Sequence, residues 1–134
     1  MTLTPLNVPA LLSRFRLSPS KGLGQNFLMD ETALAEIVDA GLVTSEDTVL
    51  EIGPGLGSLT RHLAARASRV VAVELDRKMI PVLSETLKSF PNVEVIQGDV
   101  LGVDLSGALG ETSYRVVANI PYYITSAVIR HLLE

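Results

Sequence analysis

Glu51 stands two residues ahead of Gly53, and Gly55 and Gly57 follow at alternate positions. Glycine permits positive φ and close approach of a ligand to the backbone, so this run reads as a tight turn beside a bound small molecule. The spacing is G-x-G-x-G, not the G-x-G-x-x-G of dinucleotide folds. A carboxylate there repels a pyrophosphate and suits a cation such as an ammonium or a sulfonium. Further along, Glu74 can accept two hydrogen bonds from ribose hydroxyls. Asp99 can accept from an exocyclic adenine amine, and Gly98 before it lets a flat base lie close. Together these positions describe a pocket for an adenosine that carries positive charge and no phosphate, which is S-adenosylmethionine.

Asn119-Ile120-Pro121-Tyr122 is the most specific segment. Proline removes one N–H and stiffens the turn. The Asn119 side-chain carbonyl and the backbone carbonyl beside proline become two acceptors for the two hydrogens of an exocyclic amine. Binding them localises the nitrogen lone pair and aims it at a methyl group. Tyr122 offers a flat face for an extruded base, a stacking worth about 1–3 kcal/mol. A base inside a duplex is out of reach, so a flipped or single-stranded adenine is implied.

The elements that must position these residues follow from the hydrophobic pattern. Asn7 caps a short helix with Pro9 in its first turn, running to about Arg16. Asp30 caps a helix with Leu34, Ile37, Val38 and Gly41 at helical spacing. Thr48–Ile52 is a buried strand, and the helix after the glycine turn carries Leu59, Leu63 and Ala64 on one face. Arg69–Glu74 is a second strand, apolar on both faces as parallel strands are. Asp76 caps a helix to about Lys88. Asn92–Ile96 and Tyr114–Ala118 are further strands, Gly102–Gly110 is a connection, and Ala127–Leu133 is a final helix. Alternating strands and helices joined by short loops imply a parallel sheet. Glu51, Glu74, Asp99 and Asn119 then sit at four strand ends facing one crevice.

The bulk composition is consistent with such a domain. The chain has 134 residues, no cysteine, two histidines and a net charge of −4. That length is one domain at most. The absence of cysteine fits the cytoplasm and removes thiolate metal sites, and two separated histidines leave no zinc site. No apolar run is long enough for a membrane span. The charge is uneven: residues 1–29 hold Arg14, Arg16 and Lys21 and no acid, an arm able to touch phosphates.

Lys21-x-x-Gly24-Gln25-Asn26-Phe27-Leu28, the glycine turn, Glu74, Gln97-Gly98-Asp99 and Asn119-Ile120-Pro121-Tyr122 occur in this order. In combination they resemble the ribosomal RNA adenine N6,N6-dimethyltransferase family, its small-subunit type in particular. The resemblance covers nearly the whole chain. It implies a Rossmann-like class I methyltransferase sheet with S-adenosylmethionine as cofactor, a partner RNA in a small-subunit assembly intermediate, and no metal. It also implies roles. Gln25, Asn26 and Leu28 would close over the methionine end of the cofactor, which Glu51, Gly53 and Gly55 would line. Glu74 would hold the ribose and Asp99 the adenine amine, with Val100 near the base and Leu75 a further cofactor-binding residue. Asn119, Pro121 and Tyr122 would position the target adenine for in-line transfer, Asn119 also touching the cofactor.

On this reading residues 1–29 are a basic arm with the closing motif, and 30–134 are part of the cofactor-binding domain. Family members continue past the point matching Glu134 with further strands and a helical domain. The isolated chain is therefore expected to be weak or inactive, with the open edge of its fourth strand available for self-association. The competing reading is a non-catalytic RNA-binding assembly or transcription factor that retains the fold. A nicotinamide-dependent oxidoreductase is disfavoured by the glycine spacing and by Glu51.

Overall fold

The computed structural model describes residues 3–17, 31–109 and 114–118. Its centre is a parallel sheet of β1 (Thr48–Ile52), β2 (Arg69–Glu74), β3 (Val93–Gln97) and β4 (Tyr114–Ala118), in the order β3-β2-β1-β4. All three pairings are parallel, with Ile52 opposite Val73 on one side and Ala118 on the other. β1 is buried along its whole length, and β2 from Val70 onward, as expected for strands covered on both faces.

Strand alternation sorts the core into two faces. Val49 and Val70 point to the face covered by α2 (Glu31–Ala40) and α3 (Ser58–Arg66), meeting Leu34, Val38, Leu59 and Leu63. Leu50, Ile52, Val71 and Val73 point to the other face, with Val100 and Leu109. The first face extends over β3 to α4 (Ile80–Thr86), where Leu56, Val82 and Leu83 pack beneath α1 (Val8–Arg14) and its Val8 and Leu12.

Several local readings hold. The Asn7 Oδ1 accepts from the Ala10 N–H at 3.1 Å, so Asn7 does cap α1. Asp76 accepts from the Lys78 N–H at 2.9 Å, but what it starts is a 3-10 turn over Arg77–Met79, and the α-helix proper is Ile80–Thr86. The expected continuation to Lys88 is therefore too long, and so is that of α1 to Arg16, which has φ +55°. β3 sits one residue later than expected. Asn92 stays outside it because its side-chain amide donates to the carbonyls of Ala64 and Ala67, at 2.9 and 3.2 Å, closing the end of α3. Ile37 was expected on the buried stripe of α2 and is instead 39 % exposed. Leu34 and Val38 are the buried residues of α2, packed against α3. The 102–110 connection holds a short helix α5 (Ser106–Leu109), whose Leu109 is buried on the second face. Asp30 and the final helix 127–133 lie outside the described residues.

Candidate functional site

The site is built where β1 ends. Gly53, Gly55 and Gly57 have φ of +74°, +60° and +86°, so all three occupy the left-handed region that glycine adopts without strain. The Gly53 N–H donates to the Val73 carbonyl at 3.0 Å, carrying the β1–β2 pairing into the turn. The turn is closed by the Gly57 N–H on the Pro54 carbonyl at 2.9 Å. Gly57 is then the N-cap of α3 and supplies no side-chain acceptor. A Cβ at Gly57 would lie 3.1 Å from the Thr86 methyl and 3.2 Å from Leu83, so the turn is packed tightly on α4.

Glu74, at the end of β2, reaches back to this turn. One carboxylate oxygen accepts from the Gly55 N–H at 3.1 Å and the other from the Asp76 N–H at 2.9 Å. The residue is 7 % exposed. Burial raises its pKa, and the N–H groups of Asp76 and Gly55 work against that rise. Each oxygen accepts one bond from the backbone and has capacity for another.

Glu51 corrects the expectation of a carboxylate lining the crevice. It projects from the same sheet face as Val49, directly under α3, and is fully buried. The Thr60 hydroxyl on α3 donates to one of its oxygens, and the other has no partner. Desolvation pushes its pKa up to about 7, the Thr60 hydrogen bond opposes that, and the nearby Glu74 charge adds to it.

At the next strand end, the Gly98 N–H donates to the Glu74 carbonyl at 2.8 Å, and the Gln97 side-chain amide to the Leu75 carbonyl at 3.0 Å. Gly98 has φ +153°, and a Cβ there would come within 2.6 Å of Val103. Asp99 is exposed, with one oxygen accepting from the Leu101 N–H at 2.9 Å. Leu75 is 64 % exposed beside them, whereas Val100 is buried in the second core face. The structure thus gathers Gly53, Gly55, Glu74, Leu75 and Asp99 at one end of the sheet, joined through backbone hydrogen bonds. Gln25, Asn26, Leu28, Asn119, Pro121 and Tyr122 lie outside the described residues. Sequence reasoning missed Thr60 and Arg61, and it placed Gln97 in a motif without foreseeing its bond to the Leu75 carbonyl, because buried and cross-strand partners are not revealed by spacing.

Residues 17–134 match the family model described as ribosomal RNA adenine dimethylase. The chain is 44 % identical over 135 residues to the ribosomal RNA small subunit methyltransferase A of Alkaliphilus oremlandii, covering 98 % of this chain and 47 % of that protein. It spans about half the length of the curated relatives it matches. Among solved structures it is similar to the 23S rRNA methyltransferase ErmE, with 37 % identity, a TM-score of 0.70, and coverage of 80 % of this chain and 42 % of that one. It is also similar to a dimethyladenosine transferase from Plasmodium falciparum, with 32 % identity, a TM-score of 0.65, and coverage of 79 % and 38 %.

Proposed function

The chain belongs to the ribosomal RNA adenine dimethylase family, whose members are S-adenosylmethionine-dependent methyltransferases, and on that premise we propose that it forms the cofactor-binding part of an enzyme that dimethylates the N6 amine of adenines in small-subunit ribosomal RNA. The observation that carries this reading is the link between the glycine turn and Glu74. It leaves a carboxylate at the end of β2 with free acceptor capacity, next to a turn whose backbone a ligand can approach. Ribose hydroxyls fit the carboxylate, and the absence of G-x-G-x-x-G spacing fits a ligand without phosphate.

In this proposal Glu74 and Leu75 hold the ribose, Asp99 the adenine amine, and Gly53 and Gly55 give room for the methionine end. Gln25, Asn26 and Leu28 close over it. Glu51 acts from beneath, holding α3 through Thr60. Val100 supports the base pocket from the core. β4 ends at Ala118 opposite Ile52, so the chain leaves the sheet at the end where the glycine turn begins. Asn119, Pro121 and Tyr122 come next in the sequence and, in this proposal, position the flipped adenine. When bound, the cofactor would supply an electrophilic methyl group on its sulfonium, and Asn119, Pro121 and Tyr122 would hold the adenine amine in line with it. The protein contributes positioning and lone-pair localisation.

Calorimetry with S-adenosylmethionine and with NAD tests the cofactor. Binding of the first alone is expected, and binding of NAD alone would overturn the reading. Labelled cofactor with unmethylated small ribosomal subunits tests the substrate in the protein carrying this chain. Asn119→Ala is expected to abolish label transfer while leaving subunit binding intact; unchanged transfer would remove the base-positioning role.

A further inference from the structure

The end of the sheet that carries the glycine turn is acidic. Glu51, Glu74, Asp76 and Asp99 all lie within two residues of where β1, β2 and β3 end. Two cations break that pattern: Arg77 and Lys78 follow Asp76 directly, and both are exposed. Elsewhere Arg14, Arg61, Arg66, Arg69, Lys88 and Arg115 each pair with a carboxylate. Among the described residues, the cations without such a partner are Arg16, after α1, and this adjacent pair.

The backbone under the pair is tied down. The Asp76 N–H donates to the Glu74 carboxylate at 2.9 Å, and the Lys78 N–H to Asp76 Oδ1 at 2.9 Å. The Met79 N–H donates to the Asp76 carbonyl at 3.0 Å, and the Gln97 side-chain amide to the Leu75 carbonyl at 3.0 Å. Met79 is buried among the α4 residues and anchors the turn, while the two residues before it stay outside. Through Glu74 the same corner is bonded to Gly55. Two charges free of carboxylate partners thus stand on a fixed corner beside the candidate cofactor site. An exposed cation adds little to stability even when paired, about 0–1 kcal/mol, so its use here lies in an incoming negative charge. The cofactor carries no phosphate, whereas an RNA strand carries one on every nucleotide. Phosphate contacts fix orientation on the nucleic acid without reading its sequence.

We infer that Arg77 and Lys78 form an RNA-backbone contact at the rim of the site, holding phosphates of the substrate RNA against an acidic sheet end that would otherwise repel them. This rests on the RNA-substrate reading given above. Neither residue touches a reacting atom.

The test is the salt dependence of binding to unmethylated small ribosomal subunits, at fixed magnesium, by the protein carrying this chain. Wild type is compared with the neutral pair Arg77→Gln with Lys78→Gln, the swapped pair Arg77→Lys with Lys78→Arg, and the control pair Arg66→Gln with Arg69→Gln. The control removes the same charge at the start of β2, the opposite end of that strand. The neutral pair is expected to reduce the slope of log affinity against log salt by about 1.4–1.8. At low salt it should bind about 2- to 30-fold more weakly, and it should converge on wild type as salt rises. The swapped pair and the control pair should keep the wild-type slope. Calorimetric affinity for S-adenosylmethionine and the melting temperature of the neutral pair should not change, since both side chains are exposed and the corner's bonds use the backbone of Lys78 and Met79. A neutral pair with the wild-type slope, or with a loss equal to the control's, overturns the contact while the function reading stands. A loss of cofactor affinity instead would assign the pair to the cofactor and overturn it too. A wild-type protein that does not bind the subunits removes the RNA reading and this contact together.

Discussion

The Gly55 N–H donates to the Glu74 carboxylate at 3.1 Å, tying the turn after β1 to the end of β2. The two strands pair up to Ile52 and Val73. Beyond that, the Gly53 amide and this side-chain bond take over from the regular ladder. The glycine turn therefore has its shape set by its neighbour strand as much as by its own φ values.

Glu74→Ala should leave the Gly55 and Asp76 N–H groups without their acceptor. The expected loss of stability is about 1–3 kcal/mol, read from denaturant midpoints. Cofactor affinity should fall with it, and Glu74→Gln, which keeps one carbonyl acceptor, should lie between. Equal stability of the alanine variant and wild type would show that the turn holds itself.

Glu51 gives a pH dependence with a definite sign. Its carboxyl titrates at about 7 in the folded chain against 4.5 for the ordinary group. Below 4.5 both states hold the proton. Between 4.5 and 7 the unfolded chain ionises while the folded one does not, so this group's contribution falls as pH rises through that window and levels off above it. Glu74, also raised by burial, acts in the same sense. Glu51→Gln should flatten the dependence, measured as the difference in unfolding free energy between the two ends of the window. A slope unchanged from wild type would assign it to other groups.

Gly98→Ala should destabilise by about 1–3 kcal/mol, since the new methyl meets Val103 and the backbone sits in the left-handed half of φ. The double variant with Val103→Ala separates the two causes. Recovery in the double variant, measured by thermal melting, means contact dominates; its absence means backbone strain does.

Asn92→Ala should cost about 1–2 kcal/mol by leaving the carbonyls of Ala64 and Ala67 without their shared donor. Amide exchange should accelerate first in the last turn of α3. Exchange rising only at β3 would place the role of Asn92 in the strand instead.

Strand positions were the most legible part of the sequence. Thr48–Ile52, Arg69–Glu74 and Tyr114–Ala118 match residue for residue, because short runs rich in β-branched residues and ended by glycine, an acid or asparagine have few alternatives. The gathering of Glu74, Leu75 and Asp99 beside the glycines also followed, since strand ends in a parallel sheet share a side. Helix ends and side-chain direction were less legible. Asp76 carries a cap signal, yet Pro81 and Met79 shape a 3-10 turn first. Glu51 looks like a ligand by type and spacing, and only its place in the β1 pleat, facing Thr60, turns it inward.

The strand order carries a consequence for synthesis on the ribosome. β1, β2 and β3 are neighbours both in the sheet and in the chain, joined by α3 and α4, so their pairings close over short loops. β4, the last strand among the described residues, pairs back to β1, across everything made in between. A nascent chain that has reached Gln97 can thus hold a three-stranded unit in which β1 is a bare edge in addition to β3. Until Tyr114–Ala118 emerges, the β1 flank is a templating edge open to a neighbouring chain, and the interval between the two sets the window in which misassembly competes with folding.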